Sequence, residues 1–515
     1  MKRRTFIHRA SHIAGISAIM GPLSFSSFAR PLIRKLTDDG KVLVLIYLQG
    51  GNDGLNTVIP LDQLSALNAV RPRIVLPENK LLRLDGTDLA LHPELSGLKS
   101  LFEEERLRII QSVGYPGQNF SHFRSKDIWM SASDTDELVN SGWTGRLLDR
   151  NFPGYPEEYP NETCPDPLAI EIGYGSTLLF QGPTSAMSVV LKDPTSFYAL
   201  VNNIEDPLPD TYAGDKLKHI RITARQSQLY GEVVKTAANR INVQSQFPET
   251  DLGEQLKIVS RLIAGGLQTS LYLVTLRGFD THSRQVQKDD HTKGKHASLL
   301  KELNDAIMAF MADLEYQGTS DRVLGMTFSE FGRRIISNAS TGTDHGAAAP
   351  LFVFGNQTEP GVLGNNPVIP ADANARDNLP KEYDFREIYA SVLEQWFGLS
   401  QTDRNEVLLD TFDTYPVVKS GMKANENPID VSNLQVYPNP LAAQTTIQLN
   451  VLEYPIIISL VDMNGKRIQT IYSGNPPAGR FEINWNTHQL APGTYLLVLN
   501  NGNTIASQKV IKGNY

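Results

Sequence analysis

The chain contains a single cysteine, Cys164, in 515 residues. No internal disulfide can form, so a disulfide-stapled scaffold is excluded. Stability must come from a buried core, which a chain of this length can supply. Cys164 sits in Thr163-Cys164-Pro165 and reads as a passive thiol in a proline-rich loop. Excess positive charge is also missing. The formal net charge is -8 and no basic stripe occurs. A nucleic-acid partner is therefore not expected, because neutralising phosphates needs a basic surface. Long unbroken apolar runs are scarce too. The run from Ile13 to Phe28 is interrupted by Gly15, Gly21 and Pro22, which makes it a poor membrane anchor. What is present, 41% hydrophobic and 20% charged residues, fits a globular chain of roughly two to four domains.

The amino terminus has the layout of a targeting segment. Residues 2–9 read Lys-Arg-Arg-Thr-Phe-Ile-His-Arg, the weakly apolar run follows, and Ser27-Phe28-Ala29 offers a small-residue cleavage site. This predicts a signal peptide over residues 1–29. Its Arg3-Arg4-Thr5-Phe6-Ile7 core resembles the twin-arginine consensus, which implies the twin-arginine export machinery as a partner. That route carries folded proteins, often with a metal or cofactor already inserted. Cleavage removes Lys2, Arg3, Arg4 and Arg9, leaving a more acidic mature chain without a transmembrane anchor.

Between residues 41 and 420 short apolar runs alternate with amphipathic patterns. Val42–Leu48, 107–113, 168–172, 271–276, 323–328 and 351–354 read as buried strands. Leu95, Leu98, Leu101 and Phe102 share one helical face, as do Leu299, Leu300, Leu303, Ile307, Phe310, Met311 and Leu314. The alternation predicts an α/β domain with a mostly parallel sheet sandwiched by helices. A polar helical insertion is expected over about 180–268, and residues 421–433, with Pro428, read as a linker.

Beyond the linker the texture becomes β-rich. Runs at 445–449, 456–462, 481–485, 494–499 and 504–511 are separated by turns, with hairpin signals at Asn464-Gly465 and Asn501-Gly502. A small antiparallel β-sandwich over 434–512 is expected. Val436-Tyr437-Pro438-Asn439-Pro440, Val461-Asp462-Met463-Asn464-Gly465 and Leu490-Ala491-Pro492-Gly493-Thr494-Tyr495 follow in an order that resembles the C-terminal sorting domain of the type IX secretion system. The resemblance implies the type IX machinery as a second partner. It also implies passage through the periplasm to the cell surface or the extracellular space.

Ligands of an open α/β sheet gather beyond the carboxyl ends of its strands. Four loops there carry chemistry. The first holds Gly50, Gly51 and Asp53, and the second Ser121, His122 and Arg124. The third holds Asp280 and His282, with His291 and His296 following, and the fourth runs from Glu330 and Arg333 to Asp344 and His345. Carboxylates and imidazoles suit a divalent metal, and a serine beside a histidine and an arginine suits a nucleophile with an anion clamp. His296, one turn before Leu299 and Leu300, falls on the buried face of its helix.

The segments Leu48–Thr57, Ser121-His122-Phe123, Gly278–His282, Thr327–Arg333 and Gly342–Gly346 resemble the family known as domain of unknown function 1501, over about residues 41–400. That family is similar in fold to the alkaline phosphatase and sulfatase superfamily, whose sites use paired divalent metals and a serine, threonine or modified cysteine nucleophile. Carried over by position, the resemblance implies Ser121 as nucleophile and Asp53, Asp280, His282, Glu330 and His345 as ligands of zinc, manganese or calcium. His122, Arg124, His296, Arg333 and Asp344 would support them or bind the anion, Arg333 equally as an ion-pair partner. Two departures stand out. Ser329-Glu330 replaces the usual Asp-His pair, and Asp280 and His282 are closer in sequence than in alkaline phosphatases. The expectation is a metal-dependent hydrolase of phosphate or sulfate esters, acting on a small-molecule or glycan ester. The alternative is a non-catalytic cell-surface or ligand-binding protein on the same fold.

Overall fold

The computed structural model describes residues 40–173, 175–192, 229–419, 434–451, 456–462, 467–474, 476, 479–500 and 505–513. The expected signal peptide, the linker and residues 193–228 of the expected insertion lie outside the described residues. The rest falls into two compact units, within Arg34–Lys423 and Ala424–Tyr515.

The larger unit is organised by one sheet. Its strands are Val42–Gln49 (β1), Leu107–Gly114 (β2), Ala169–Ile172 (β3), Ser188–Leu191 (β4), Leu271–Arg277 (β5), Val323–Phe328 (β6), Ala349–Phe354 (β7) and Gly361–Leu363 (β8), in the order β8-β2-β7-β6-β1-β5-β3-β4. β1 pairs in parallel with β5 and β6, and β3 in parallel with β5 and β4. β7 runs antiparallel to both β2 and β6. One consequence matters for the site. The carboxyl ends of β1, β2, β5 and β6 share a rim with the amino end of β7, so the loop before β7 arrives where the other loops depart.

Alternation along β1 divides the core between the two faces, because successive side chains of a strand point to opposite sides. Val42, Val44, Ile46 and Leu48 pack with Leu98 and Leu101 of helix Ser96–Glu103 (α1), Leu256 and Val259 of helix Asp251–Ala264, and Leu300, Leu303 and Phe310 of helix Lys295–Tyr316. Leu43, Leu45 and Tyr47 pack with Ile128 and Trp129 of helix His122–Ser131 (α2), Trp143 and Leu147 of helix Trp143–Asn151, and Phe385 and Tyr389 of helix Phe385–Gln395. Each fully buried side chain of this kind contributes about 1.5–3 kcal/mol, which is why the apolar runs were readable as strands. In chain order the remaining helices named here are Trp143–Asn151 (α3), Asp251–Ala264 (α4), Lys295–Tyr316 (α5) and Phe385–Gln395 (α6). α4 is capped by Thr250, whose hydroxyl accepts from the Gly253 amide, and α6 opens on a capping box of Asp384 and Glu387.

The span 180–268 differs from the helical insertion expected of it. It holds helical residues 229–240 and α4, but β4 also lies inside it and extends the central sheet. Ser188-Val189-Val190-Leu191 holds only three apolar residues and is half buried, so it does not stand out as a buried run. Cys164 is a buried free thiol.

The smaller unit pairs strands 435–437, 444–451 and 479–486 in one antiparallel sheet. Strands 467–474, 456–461, 493–500 and 505–512 form a second. Residues of both sheets, among them Ile447, Trp485, Ile458, Leu460, Leu497 and Val510, share a single core. No helix among the described residues is long and apolar enough to cross a membrane.

Candidate active site

The loops after β1 and β5 press against one another, and glycine makes this approach feasible. Gly50 and Gly51 hold φ of 124° and 85°. A Cβ on Gly50 would stand 2.3 Å from the Asp280 amide, and one on Gly51 would stand 2.4 Å from the Phe331 ring. Arg333, fully buried, ties the loops together. Its guanidinium donates to the carbonyls of Gly51 (2.8 Å), Thr343 (3.0 Å), Phe279 (2.9 Å) and Gly50, and to Oδ1 of Asp280 (2.8 Å). Five acceptors suit the planar fork of arginine and would not suit lysine.

Oδ1 of Asp280 is the focus of the site. Around it lie Nε2 of His282 at 3.2 Å, Nε2 of His345 at 3.2 Å and Nε2 of His122 at 3.5 Å. The two nearer imidazoles bring their Nε2 atoms within 2.9 Å of each other. Ligand atoms of His122, Asp280 and His345 all lie within 4.8 Å of one another. Each ring is held from behind through its other nitrogen. Nδ1 of His122 lies 2.8 Å from Oε1 of Glu330, Nδ1 of His282 lies 2.9 Å from Oδ1 of Asp344, and Nδ1 of His345 lies 2.8 Å from the carbonyl of Phe120.

This pattern tests whether a metal fits. Carboxylates and a carbonyl accept, so each Nδ1 serves as a donor, and each ring turns its Nε2 toward Asp280. Ligand atoms of His122, Asp280 and His345 lie close enough to share one ion, His282 stands beside Asp280 and His345, and carboxylate–histidine pairs are the usual support of metal-bound imidazoles. Imidazole nitrogens with a carboxylate oxygen are the donor types that suit zinc. Burial raises the Asp280 carboxyl, but the Arg333 hydrogen bond and charge, with the imidazoles, outweigh it and bring it down to about 2. Asp280 is therefore an anion throughout the neutral range. The Glu330 hydrogen bond raises His122, whereas burial lowers His345.

The residues anticipated from sequence separate into three groups. Asp280, His282 and His345 converge at the rim, and His122, expected only in support, also turns its Nε2 to Asp280. Two expected ligands do not point there. Glu330 is fully buried and spends its oxygens on His122 and on the Gly50 amide, at 3.0 and 3.1 Å, so it positions a ligand. Asp53 is also buried and closes on the Arg71 guanidinium at 3.1 Å. Asp344 supports His282 as expected, and Arg333 is an ion-pair partner and loop clamp. Arg124 is not an anion clamp, because it donates to the carbonyls of Asp134, Thr135 and Glu137. His296 lies beneath the site, its Nε2 3.0 Å from Oδ1 of Asn52, and burial lowers it to about 4. His291 meets the Val75 carbonyl instead.

Ser121 is exposed at the amino cap of α2. It stands between Phe120, whose carbonyl accepts from His345, and His122. The residue missed altogether is Arg71, fully buried and far from any motif.

The fold and rim together define a mixed α/β protein with a His/Asp cluster at the carboxyl ends of its strands. Residues 223–412 match the family described as Protein of unknown function (DUF1501), a span that includes Asp280, His282, Glu330 and His345 but not Ser121 or His122. Residues 435–513 match the Secretion system C-terminal sorting domain. No curated protein matches the chain. Among solved structures, a protein in the alkaline phosphatase superfamily from Vibrio parahaemolyticus is similar at 9% identity over 91% of this chain and 82% of that one, with a TM-score of 0.33. A sulfatase from Pseudoalteromonas sp. is similar at 11% identity over 88% and 84%, also at 0.33. A phosphonate monoester hydrolase from Silicibacter pomeroyi is similar at 10% identity over 92% and 89%, at 0.29. Scores this low carry no conclusion, and the fold rests on the strand order and directions given above.

Proposed function

We propose that this chain is a metal-dependent hydrolase of phosphate or sulfate esters, exported through the twin-arginine route and then taken outward by the type IX machinery that reads its C-terminal domain. One observation supports the catalytic reading above all others: three imidazoles, each held from behind at Nδ1, turn their Nε2 atoms toward Oδ1 of Asp280.

His122, Asp280, His282 and His345 would hold a divalent cation, with zinc matched best by the donor set. When bound, such an ion supplies Lewis acidity and lowers the pKa of an oxygen beside it. Ser121 is the candidate nucleophile. Its hydroxyl is exposed at the amino end of a helix of 10 residues, where free backbone N–H groups favour an anionic group. Glu330 and Asp344 fix the rings of His122 and His282, and Arg333 holds Asp280 ionised and in place.

A second reading, ligand binding without turnover, is favoured by one feature. Among the described residues no base is hydrogen-bonded to the Ser121 hydroxyl. Elemental analysis of the purified full chain, with a panel of aryl phosphates and sulfates, separates the two. Bound metal with turnover supports the hydrolase. Bound metal with every ester untouched supports the second reading, and protein free of zinc, manganese and calcium overturns the hydrolase.

A further inference from the structure

The superfamily resemblance implies two metal ions, with Asp53 a ligand of one. We infer that the centre is instead mononuclear, because the Arg71 guanidinium occupies the place beside Asp53 that a second ion would need. The inference rests on the metal reading above and narrows it.

Both carboxylate oxygens of Asp53 are used. Oδ1 accepts from Nη1 and Nη2 of Arg71, each at 3.1 Å, and Oδ2 accepts from Nη2 at 3.1 Å and from Nε2 of Gln285. Arg71 is itself fixed, donating to Oδ1 of Asn56 at 3.1 Å and to the Arg334 carbonyl at 3.3 Å. Neither partner of the pair is more than 1% exposed. A divalent ion on Asp53 would face a positive charge that water does not screen, and displacing Arg71 would strand a buried guanidinium. Neighbouring groups offer no replacement set. Oδ1 of Asn52 already accepts from Thr57 and His296, at 3.0 Å each, and the imidazole of His296 is spent on that bond through Nε2. Among the described residues its Nδ1 has no partner, but a single nitrogen near a guanidinium is not a cation site. The charge that a second ion would bring is supplied by protein.

The test is metal stoichiometry. The purified full chain is loaded with zinc, freed of excess by dialysis, and assayed for metal per chain. One equivalent is expected, lost in His345→Ala and kept in Asp53→Asn. Because Asp53→Asn leaves Arg71 unpaired and risks unfolding, the double variant Asp53→Asn with Arg71→Gln is measured beside it, with thermal melting to establish that it folds. Two equivalents in the unaltered chain would overturn the mononuclear centre alone. So would loss of the ion from the folded double variant. No bound metal at all would overturn it together with the reading it rests on.

Discussion

Nδ1 of His122 lies 2.8 Å from Oε1 of Glu330, a carboxylate without exposed surface whose oxygens also accept from the Gly50 amide. The pair joins three strand ends: His122 follows β2, Glu330 follows β6 and Gly50 follows β1. Glu330→Gln keeps the size and one acceptor but removes the charge that holds the imidazole proton on Nδ1. Metal affinity should fall by about 10–100-fold, as for other lost partners of metal-bound histidines. Competition titration against a zinc chelator reads this directly. An unchanged affinity would show that Glu330 does not orient His122.

Ser121→Ala removes the proposed nucleophile without touching a metal donor. Turnover of aryl phosphates or sulfates should be lost while metal content and melting temperature stay as they were. Steady-state assays beside elemental analysis check it. Full activity in this variant would remove Ser121 from the mechanism.

Arg333→Ala would leave the carbonyls of Gly50, Gly51, Phe279 and Thr343 without their donor and Asp280 without its counter-charge. The expected loss of stability is about 1–3 kcal/mol or more from the carbonyls left unsatisfied, the half-exposed Asp280 adding little because water screens it. Arg333→Lys should recover only part of it, since an ammonium cannot reach all five acceptors. Urea unfolding of the larger unit measures both, and a loss in Arg333→Ala no larger than that of a surface substitution would contradict the clamp.

Two histidines beneath the rim should make the fold acid-sensitive. Burial lowers His92 to about 3, with His296 nearby adding to the effect, and burial lowers His296 to about 4. Between pH 6.5 and these values the unfolded chain binds protons that the folded chain refuses. Stability is therefore present above pH 6.5 and lost as pH falls through the window, by about 2 kcal/mol or more per histidine. Unfolding free energy measured from pH 7 to pH 4 should fall less steeply in His296→Gln than in the unaltered chain. Equal slopes would rule out a neutral buried His296.

A chain ending at residue 420 should keep its metal and its turnover, because the His/Asp cluster and both faces of the central sheet lie within the larger compact unit. It should no longer be delivered outward, because the sorting domain is gone. Loss of activity in the purified truncated chain would place function in the C-terminal unit instead.

The strands and helices were legible because burial is periodic. Every apolar run read as a strand in residues 41–420 became one, and the helical stripes of α1 and α5 became the faces that pack on the sheet. β4 escaped because it has only three apolar residues and is half buried, and strands 435–437 and 467–474 escaped because one is short and the other polar. Asp280, His282 and His345, singled out by residue type at strand ends, come together in the fold. His122, expected in support, lies beside Asp280, while Glu330 and Asp53, expected as ligands, contact His122 and Arg71 instead. Type and spacing say that a carboxylate is near a rim. They do not say what its oxygens face.

Local order in the chain was enough to determine the C-terminal sorting domain, the two-unit plan, the α/β layering and the strand-end loops rich in carboxylates and imidazoles, since each depends on neighbours within a few dozen residues. Which side chains meet was decided only by the folded sheet. The reversed direction of β7 brings His345 to the rim that carries Asp280, and the buried Arg71, eighteen residues beyond Asp53, takes that carboxylate out of the cluster. Both outcomes depend on contacts between distant segments, where the direction of one strand or the reach of one guanidinium selects the partner.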